Sequence, residues 1–272
     1  MAELQESADF SLEAHLPFRV LNPREASRFY RFSLYTVDDE LAYFAQLYWV
    51  LRWDLHDGES FDAQVVPSAY TNLTCMPEGA RVTGVTTGLY RYPVTGSGVI
   101  AGIMFRPGAI AAFHKAPGAL TDGFVPAAEC FPGVTAGFNS RVIQSTDEHA
   151  ISLMRTQVLA TRPRADPNIR LINQIITRAT GPSPLTVRAL AAEFAMSERK
   201  LQGLFERYVG VGLKWIMLRD RLQQATLLAD TLQQPNWTGI ALDLGYSDQS
   251  HFINDFRRII GITPRQYYLA QR

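Results

Sequence analysis

Two stretches of this chain, Leu190-Ala-Ala-Glu-Phe-Ala-Met-Ser197 and Ile240-Ala-Leu-Asp-Leu-Gly-Tyr-Ser247, have the same build. After a one-residue insertion the likeness continues at further pairs of positions, which are Ser197/Asp248, Leu201/Phe252, Phe205/Phe256, Gly210/Gly261 and Val211/Ile262. Two copies are too few for a solenoid, which generally needs three or more. The chain therefore carries one supersecondary unit in duplicate.

The first copy has the parts of two short helices joined by a tight turn. Thr186 can cap a helix over Val187–Phe194, and Ser197 is placed to cap the next helix. That helix carries one apolar stripe at helical spacing, formed by Leu201, Leu204, Phe205 and Tyr208. Gly210 can then end it, because glycine readily takes the left-handed conformation that follows many helices.

The second copy has the same parts. A helix over Thr238–Leu242 is followed by a turn at Gly245, and Asp248 can cap a helix that Gly261 ends. Two short helices joined in this way form a helix-turn-helix unit. We therefore predict two such units, joined by a long helix over about Leu213–Asp230. A generic helical bundle, in which the stripes are only core, is the alternative.

The second copy also resembles the C-terminal signature of AraC/XylS-type transcription regulators. The resemblance rests on Ile240-Ala241, Gly245-Tyr246-Ser247-Asp248-Gln249-Ser250-His251-Phe252, Phe256-Arg257-Arg258 and Gly261-Ile262-Thr263-Pro264, with Arg221-Leu222 and Ala225 in the connecting helix. It covers roughly Leu185–Tyr268, and it implies a DNA-binding regulator with an effector-responsive N-terminal domain. A shorter stretch, Gly102–Gly108, is similar to a motif in an uncharacterised sensor-like domain that often precedes such modules.

The chain departs from the family pattern at four positions. Ala195 stands in the first turn where the family usually has glycine, and a positive φ there would cost alanine about 1 kcal/mol. Trp237 stands where a small or branched residue is common, and Gly203 and Asn254 stand where the family often carries arginine. These departures affect the expected sequence specificity and leave the expected fold unchanged.

In a helix-turn-helix unit the second helix lies in the major groove of DNA. The positions that the apolar stripes skip are the predicted base-reading residues: Arg199, Lys200, Gln202 and Gly203 in the first unit, and Gln249, Ser250, Ile253 and Asn254 in the second. The predicted phosphate contacts lie at helix ends or on the connecting helix: Ser197, Arg207, Lys214, Arg221, Asp248, Arg257, Arg258 and Arg265. Each polar side chain has the alternative of being merely solvated.

The composition fits a globular chain of two domains. The 272 residues are 47% hydrophobic and 19% charged, with a formal net charge of zero. That zero hides a split, because residues 163–272 hold 14 Lys/Arg against 9 Asp/Glu, a charge of +5, and residues 1–162 carry −5. A basic C-terminal part is consistent with a polyanion-binding module, although a difference of this size also arises by chance.

Several protein classes are disfavoured by what the sequence lacks. The N-terminus has no visible signal peptide, and the longest apolar stretch, near Val99–Phe105, is too short to span a bilayer. Cys75 and Cys130 are too few for a disulfide framework and lack zinc-ligand spacing. We therefore expect a cytoplasmic protein without a metal or another cofactor, and not an enzyme. A cupin-type enzyme fused to a DNA-binding module is the remote alternative.

The N-terminal part alternates short β-type runs with turn residues. These runs include Gln64–Val66, Arg81–Val85, Gly88–Tyr92 and Val99–Phe105, with helices expected over Thr36–Leu47 and Thr146–Leu159. Prolines at 163, 167, 182 and 184 mark a boundary that encloses a helix over Asn168–Thr180, with Asn168 as its cap. The expected fold class is α+β: a β-rich domain over 1–162, a linker with a short helix over 163–184, and a double helix-turn-helix domain over 185–272.

The aromatic side chains of the N-terminal part suggest an effector pocket. Its expected lining is Tyr43, Trp49 and Tyr70, with Arg106 and His114 as polar anchors. Ordinary core packing is the alternative for the aromatic residues. A regulator controlled by a dimer or a protein partner, through Thr146–Leu159 or Asn168–Thr180, would need no pocket. Double-stranded DNA is the expected partner in either case, together with RNA polymerase if the protein is an activator.

Overall fold

The computed structural model of the chain describes residues 30–56, 58–181, 183 and 185–270. Residues 1–29, in which no signal peptide is visible, Pro182 and Pro184 of the predicted boundary, and the last two residues lie outside the described residues. The described chain is β-rich up to Pro126 and helical from Ala136 onward, which confirms the expected fold class. Among these residues no helix is both long enough and apolar enough to cross a membrane.

The β-rich part consists of antiparallel strands in two sheets. The strands are β1 (Tyr30–Thr36), β2 (Ala45–Asp54), β3 (Ser60–Val65), β4 (Thr71–Met76), β5 (Gly79–Thr83), β6 (Tyr90–Thr95), β7 (Ser97–Phe105) and β8 (Phe124–Pro126). Within the described residues, six strands form one sheet in the order β1-β2-β7-β4-β5-β8, and β3 pairs with β6 in a second sheet. The predicted β-runs all overlap strands, although their ends differ by a few residues.

Side chains alternate along the strands of the large sheet, so that one set points to each face, and both faces are covered by other elements. One set, which includes Tyr48, Leu73 and Ile103, is buried under the helices α1 (Ala136–Ile143) and α2 (Asp147–Ala160). Asp147, the first residue of α2, is buried and accepts hydrogen bonds from Arg52 Nε at 2.7 Å and from the Tyr35 hydroxyl at 2.7 Å. These bonds join α2 to β1 and β2.

The opposite face of the large sheet lies against β3 and β6. Two glycines of β7 make this arrangement possible, because a Cβ on Gly98 would lie 2.3 Å from the ring of Trp53, and one on Gly102 would lie 2.4 Å from the ring of Trp49. Such contacts are closer than atoms can approach. The two indole rings therefore lie across β7 only because these positions lack side chains.

The expected helix over Thr36–Leu47 is wrong. Thr36 ends β1 and Ala45 begins β2, and only the residues between them form turns, with bonds from Ala42 N to Asp38 O at 2.9 Å and from Ala45 N to Leu41 O at 2.8 Å. The apolar spacing that suggested a helix belongs to these turns. The flanking residues pair as strands, and that long-range pairing overrides the local pattern. The helix expected over Thr146–Leu159 is confirmed as α2, with Thr146 as its cap.

The remaining helices are α3 (Pro167–Ala179), α4 (Val187–Glu193), α5 (Glu198–Tyr208), α6 (Leu213–Asp230), α7 (Trp237–Asp243), α8 (Gln249–Ile260) and α9 (Pro264–Ala270). The pairs α4–α5 and α7–α8 are the two predicted helix-turn-helix units, and α6 is the predicted long helix between them. The caps Thr186, Ser197 and Asp248 are confirmed. The expected cap Asn168 is wrong, because Asp166 caps α3 and Pro167 takes the first helical position, where its missing N–H costs nothing.

The helix α3 shares the core of the first helix-turn-helix unit. Its residues Ile172 and Ile175 belong to the same buried cluster as Leu190, Leu201 and Phe205. The side chain of Asp166, just before α3, accepts a hydrogen bond from the Tyr208 hydroxyl of α5 at 2.7 Å. The segment expected to link two parts of the chain therefore packs against α4 and α5.

The β-rich part contacts both helix-turn-helix units at the ends of their second helices. Near the first unit, the Thr121 hydroxyl donates a hydrogen bond to Gly210 O at 3.1 Å. Near the second, a Cβ on Gly261 would lie 2.9 Å from Leu89 Cβ, so the two residues touch. Between them, Arg219 of α6 is buried and donates from Nε to Pro67 O at 2.9 Å. The connecting helix and both units thus rest on the β-rich part.

Candidate nucleic-acid interface and N-terminal cavity

The turns of the two helix-turn-helix units are alike in their hydrogen bonds. In the first, Met196 N donates to Ala191 O at 2.9 Å, and in the second, Tyr246 N donates to Ala241 O at 2.9 Å. Ala191 and Ala241 are both buried where the two helices of each unit meet. The duplicated sequence therefore produces a duplicated backbone.

Each second helix begins with a capped and exposed N-terminus. The Ser197 hydroxyl accepts from Lys200 N at 3.2 Å, and Asp248 Oδ1 accepts from His251 N at 2.8 Å. Both capping residues lie at the surface. The remaining N–H groups of each first turn can reach solvent, which is the arrangement that binds phosphate oxygens in nucleic-acid complexes.

The predicted base-reading positions lie on the solvent side of α5 and α8. The exposed ones are Arg199, Lys200, Gln202, Gly203, Gln249, Ser250 and Asn254, and Ile253 is half-buried. The opposite faces of the two helices hold Leu201, Phe205, Phe252 and Phe256, which are buried. Neither second helix is therefore packed away on its hydrophilic flank. On α5 the Gln202 amide donates to Glu206 Oε1 at 2.8 Å, so this side chain is held by its own helix.

The predicted phosphate contacts are exposed, with one exception. Ser197, Arg207, Lys214, Asp248, Arg257, Arg258 and Arg265 lie at the surface. Arg221 is half-buried, and its guanidinium lies 5.6 Å from the centre of the Tyr246 ring. Such stacking fixes the side chain of Arg221 against the turn of the second unit.

A small polar network on α8 was not anticipated from the sequence. Asp255 accepts hydrogen bonds from Arg258 at 2.7 Å and from the Tyr246 hydroxyl at 3.2 Å, and His251 Nε2 lies 3.4 Å from its second oxygen. Burial and the nearby Asp255 carboxylate raise the pKa of Tyr246 to about 12, so its hydroxyl stays protonated at neutral pH. The exposed His251 lies on α8 next to Ser250, one of the predicted base-reading residues, and the i, i+4 spacing of His251 and Asp255 was the available sequence signal for the network.

The residues expected to line an effector pocket do not share one cavity. Trp49 lines a cavity between the two sheets. Tyr43 and Arg106 line a groove against α3, and Tyr70 lines a cleft beside α6. His114 lines none of these three spaces. Only Trp49 lies on a strand, whereas the other four lie in turns or loops. The grouping was wrong because the sequence does not show against which element each of these turns and loops packs.

The cavity between the sheets has a volume of about 160 Å³. Its walls are mostly aromatic and aliphatic, with Arg81 among them; they include Tyr30, Phe32, Trp49, Leu51, Tyr90, Tyr92 and Ile100. The alternating residues of β4, β5 and β6 supply much of this lining. That alternation, as in Arg81 and Thr83 or Tyr90 and Tyr92, was the sequence signal for these residues.

Two wall segments, residues 66–69 and 85–90, face the cavity on one side and the helical part on the other. Val66, Ser68, Thr86 and Tyr90 line the cavity. The residues between them make the contacts to the helical part, since Pro67 O accepts from Arg219 and Leu89 touches Gly261. The backbones of Ser68 and Thr86 join the segments through two N–H···O bonds, of 3.1 and 3.2 Å.

The two cysteines are buried and unbonded to each other. Burial raises the pKa of Cys75 to about 12, and burial together with Glu129 raises the pKa of Cys130 to about 11. Both side chains are therefore thiols at neutral pH, and a thiol is a far weaker nucleophile than a thiolate.

Comparison with known proteins places family matches on both parts of the chain. Residues 190–269 match the family described as "Helix-turn-helix domain", and residues 35–126 match a "Domain of unknown function (DUF6597)". The second match covers the region in which Gly102–Gly108 is similar to a sensor-like domain. The first covers both helix-turn-helix units.

Two curated relatives share the C-terminal region. The arabinose operon regulatory protein of Salmonella typhimurium LT2 is 26% identical over 39% of this chain and 37% of its own length. The invasion protein InvF of Salmonella typhi is 28% identical over 35% of this chain and 43% of its own length. The chain thus matches less than half of either relative.

Among solved structures, a transcriptional regulator of Chromobacterium violaceum, described as having an AraC-type DNA-binding domain, is 26% identical. The match covers 37% of this chain and 87% of the length of that protein's chain, with a TM-score of 0.32. The family matches and the curated relatives confirm the resemblance of the C-terminal region to AraC/XylS-type regulators.

Proposed function

We propose that this chain, whose C-terminal region is an AraC/XylS-type helix-turn-helix domain, is a transcription regulator that reads two adjacent major-groove segments of one DNA site. The observation that carries this proposal is the exposure of the predicted base-reading positions on both α5 and α8. Surface helices of a purely structural bundle also have caps and polar flanks; DNA reading is favoured because these two helices are the second helices of a duplicated helix-turn-helix unit.

The chemistry of the exposed positions suits base recognition. Arg199 can bridge the O6 and N7 acceptors of guanine, and Gln249 or Asn254 can bridge the N6 and N7 groups of adenine. Half-buried Ile253 can contact a thymine methyl group. The exposed arginines near the helix ends, among them Arg207 and Arg257, supply phosphate contacts that set the register on the duplex.

A single chain can span two recognition sites because α6 joins the two units. Adjacent major-groove segments on one face of a duplex lie about 34 Å apart. The contacts of Thr121 with Gly210 and of Leu89 with Gly261 hold the units from the same β-rich part. In this proposal those contacts fix the spacing of α5 and α8, and residues 185–272 form the DNA-binding domain, with the segment 163–184 between it and residues 1–162 packed against α4 and α5 through α3.

The N-terminal domain, in this proposal, modulates DNA binding through a small molecule in the cavity between the sheets. A ligand there would touch Val66, Ser68, Thr86 and Tyr90 and thereby bias the wall segments that hold the helical part. Linkage requires that such a ligand bind the DNA-competent and incompetent arrangements with different affinities. The protein would act in the cytoplasm on double-stranded DNA, and also with RNA polymerase if it is an activator.

The test of DNA binding uses the full chain and a duplex selected from random sequence. We expect the affinity in gel-shift titrations to fall about a thousandfold or more between about 50 and about 200 mM salt, since several phosphate contacts release counterions. Arg199→Ala should weaken binding, whereas Arg141→Ala, a matched control on α1 far along the chain from both units, should not. Selection of no preferred duplex, or equal effects of the two variants, would refute the proposal.

A further inference from the structure

We infer that the cavity between the two sheets binds a small, largely apolar molecule that carries one anionic group, and that Arg81 receives this group. The inference rests on the proposed function, because it names the chemical class of the effector that would modulate DNA binding. Three features of the cavity support it: its size, its apolar walls, and the Nε–H of Arg81, which lacks a hydrogen-bond partner.

The size and lining of the cavity limit the ligand. An apolar protein cavity of about 150 Å³ can hold one benzene molecule, and the cavity here measures about 160 Å³. Its walls carry the rings of Phe32, Trp49 and Tyr90. A single ring or a short aliphatic chain therefore fits, whereas a sugar would bring more hydroxyl groups than these walls can satisfy.

Arg81 places a cation in these apolar walls. It lies on β5 beside Val82, whose side chain is buried on the opposite face of the sheet under the helices. One terminal nitrogen of Arg81 donates to the Tyr90 hydroxyl at 2.7 Å, and the guanidinium lies 5.0 Å from the centre of the Phe124 ring. The guanidinium is thus held in place by neighbours that carry no negative charge.

The Nε–H of Arg81 is buried and has no hydrogen-bond partner among the described residues. Among the described residues Arg81 forms no ion pair with a carboxylate. The carboxylate of Glu78 instead accepts a hydrogen bond from the Tyr92 hydroxyl at 3.0 Å, and Glu78 is exposed. Arg81 as a whole is half-buried, so its cost lies in this one atom: a buried donor without a partner is unfavourable. An anionic ligand would supply both the acceptor and the opposite charge.

A carboxylate matches this requirement better than a neutral acceptor. Guanidinium groups bind carboxylates through two parallel N–H···O bonds, and such charge-assisted bonds are stronger than neutral ones. Thr74, Thr83 and Thr86 also line the cavity, and a threonine hydroxyl can accept or donate a hydrogen bond. Trp49 Nε1 already donates to Asn72 Oδ1 at 3.1 Å, so that acceptor is occupied.

The experiment measures binding of probe molecules to the full chain by calorimetry. The probes are two carboxylates, benzoate and hexanoate, with benzamide and 1-hexanol as neutral counterparts of similar size. We expect at least one carboxylate to bind about 10- to 100-fold more tightly than its counterpart. This comparison uses the wild-type protein, so it does not depend on any variant folding.

Arg81→Met should abolish the preference for the carboxylate, because it keeps the unbranched apolar part of the side chain and removes the guanidinium with its charge. The control is Arg91→Met, which removes an exposed arginine of β6 that pairs with Asp62 outside the cavity. Binding of neither carboxylate, equal binding of the neutral counterparts, or a preference that survives Arg81→Met would overturn the inference. Binding of the wild-type chain to the selected duplex is measured in parallel without any probe molecule. Absence of this DNA binding would count against the proposed function and not against the ligand class inferred here.

Discussion

Ala195 and Gly245 occupy the same position in the two helix-turn-helix turns, and both have a positive φ, of 50° and 80° respectively. The N–H of each donates to the carbonyl three residues earlier, at 3.1 Å for Ala195 and 2.9 Å for Gly245. The first turn therefore keeps the left-handed geometry of the second although its residue carries a Cβ. Alanine pays for that conformation through the clash of its Cβ with the backbone.

Ala195→Gly should stabilise the protein by about 1 kcal/mol, because glycine adopts a positive φ without this clash. Ala195 is exposed, so the change removes little packing. Urea unfolding monitored by circular dichroism measures the effect. Gly245→Ala is the reciprocal variant and should destabilise by a similar amount, since a Cβ there would meet no atom within 4 Å and only the backbone is affected. A lower stability of Ala195→Gly would contradict the account.

The contact between the β-rich part and α5 can be tested at Gly118. A Cβ on this residue would lie 2.5 Å from Glu206 O, a backbone atom that cannot move alone. Gly118→Ala should therefore destabilise the protein by about 1–3 kcal/mol. Gly88→Ala is the control, because its Cβ would meet nothing within 4 Å, and it should change stability by less than about 0.5 kcal/mol. Similar values for the two variants would show that the contact is absent in solution.

The two units should read separate halves of the DNA site. Arg199→Ala and Asn254→Ala should each cost about 1–3 kcal/mol of binding and relax base preference in one half only. Repeating the selection of duplexes with each variant measures this, since the lost preferences should fall about one helical turn apart. Arg141→Ala should leave both halves unchanged. Loss of preference in the same half for both variants would rule out bipartite reading by one chain.

The cysteines should be protected from modification in the folded protein. Cys75 and Cys130 have pKa values raised by burial to about 12 and about 11, so at pH 8 neither is a thiolate. A disulfide reagent should react slowly with the native chain and rapidly with both thiols in guanidinium. Because the folded pKa values exceed those of the unfolded chain, the two groups contribute stability in full below about pH 8.5. That contribution to stability is lost as the pH rises toward 11 and 12. Rapid labelling of the native protein at pH 8 would contradict the predicted protection of the two thiols.

Short-range features of the helical part could be predicted with near-residue accuracy. The caps Thr186, Ser197 and Asp248, the turn at Gly245 and the long helix from Leu213 to Asp230 were all anticipated. Each depends on bonds between residues at most a few positions apart, so the local sequence contains what decides it. The one cap that was misplaced, Asn168 in place of Asp166, is wrong by two positions.

The β-rich part could be predicted only as a class of structure. The apolar spacing around Leu41 and Phe44 suggested a helix. The prediction failed because β1 pairs with β2 through residues up to 23 positions apart, such as Tyr30 with Trp53, and a local pattern does not show such pairing. The expected pocket residues do not form one group, because four of the five lie in turns or loops whose packing partners are far along the chain. Trp49 and Gly102 come together only through the pairing of β2 with β7.

The amino-acid sequence by itself determined where helices begin and end, which faces of α5 and α8 stay polar, and that the unit is duplicated. These properties follow from helical periodicity and from bonds within a turn. Only the tertiary structure decided that Arg81 lines a mostly apolar cavity, and that Pro67 and Leu89, in two wall segments of that cavity, contact Arg219 and Gly261. Those contacts join residues far apart in the chain, and the free energy that selects them comes from the packing of whole elements.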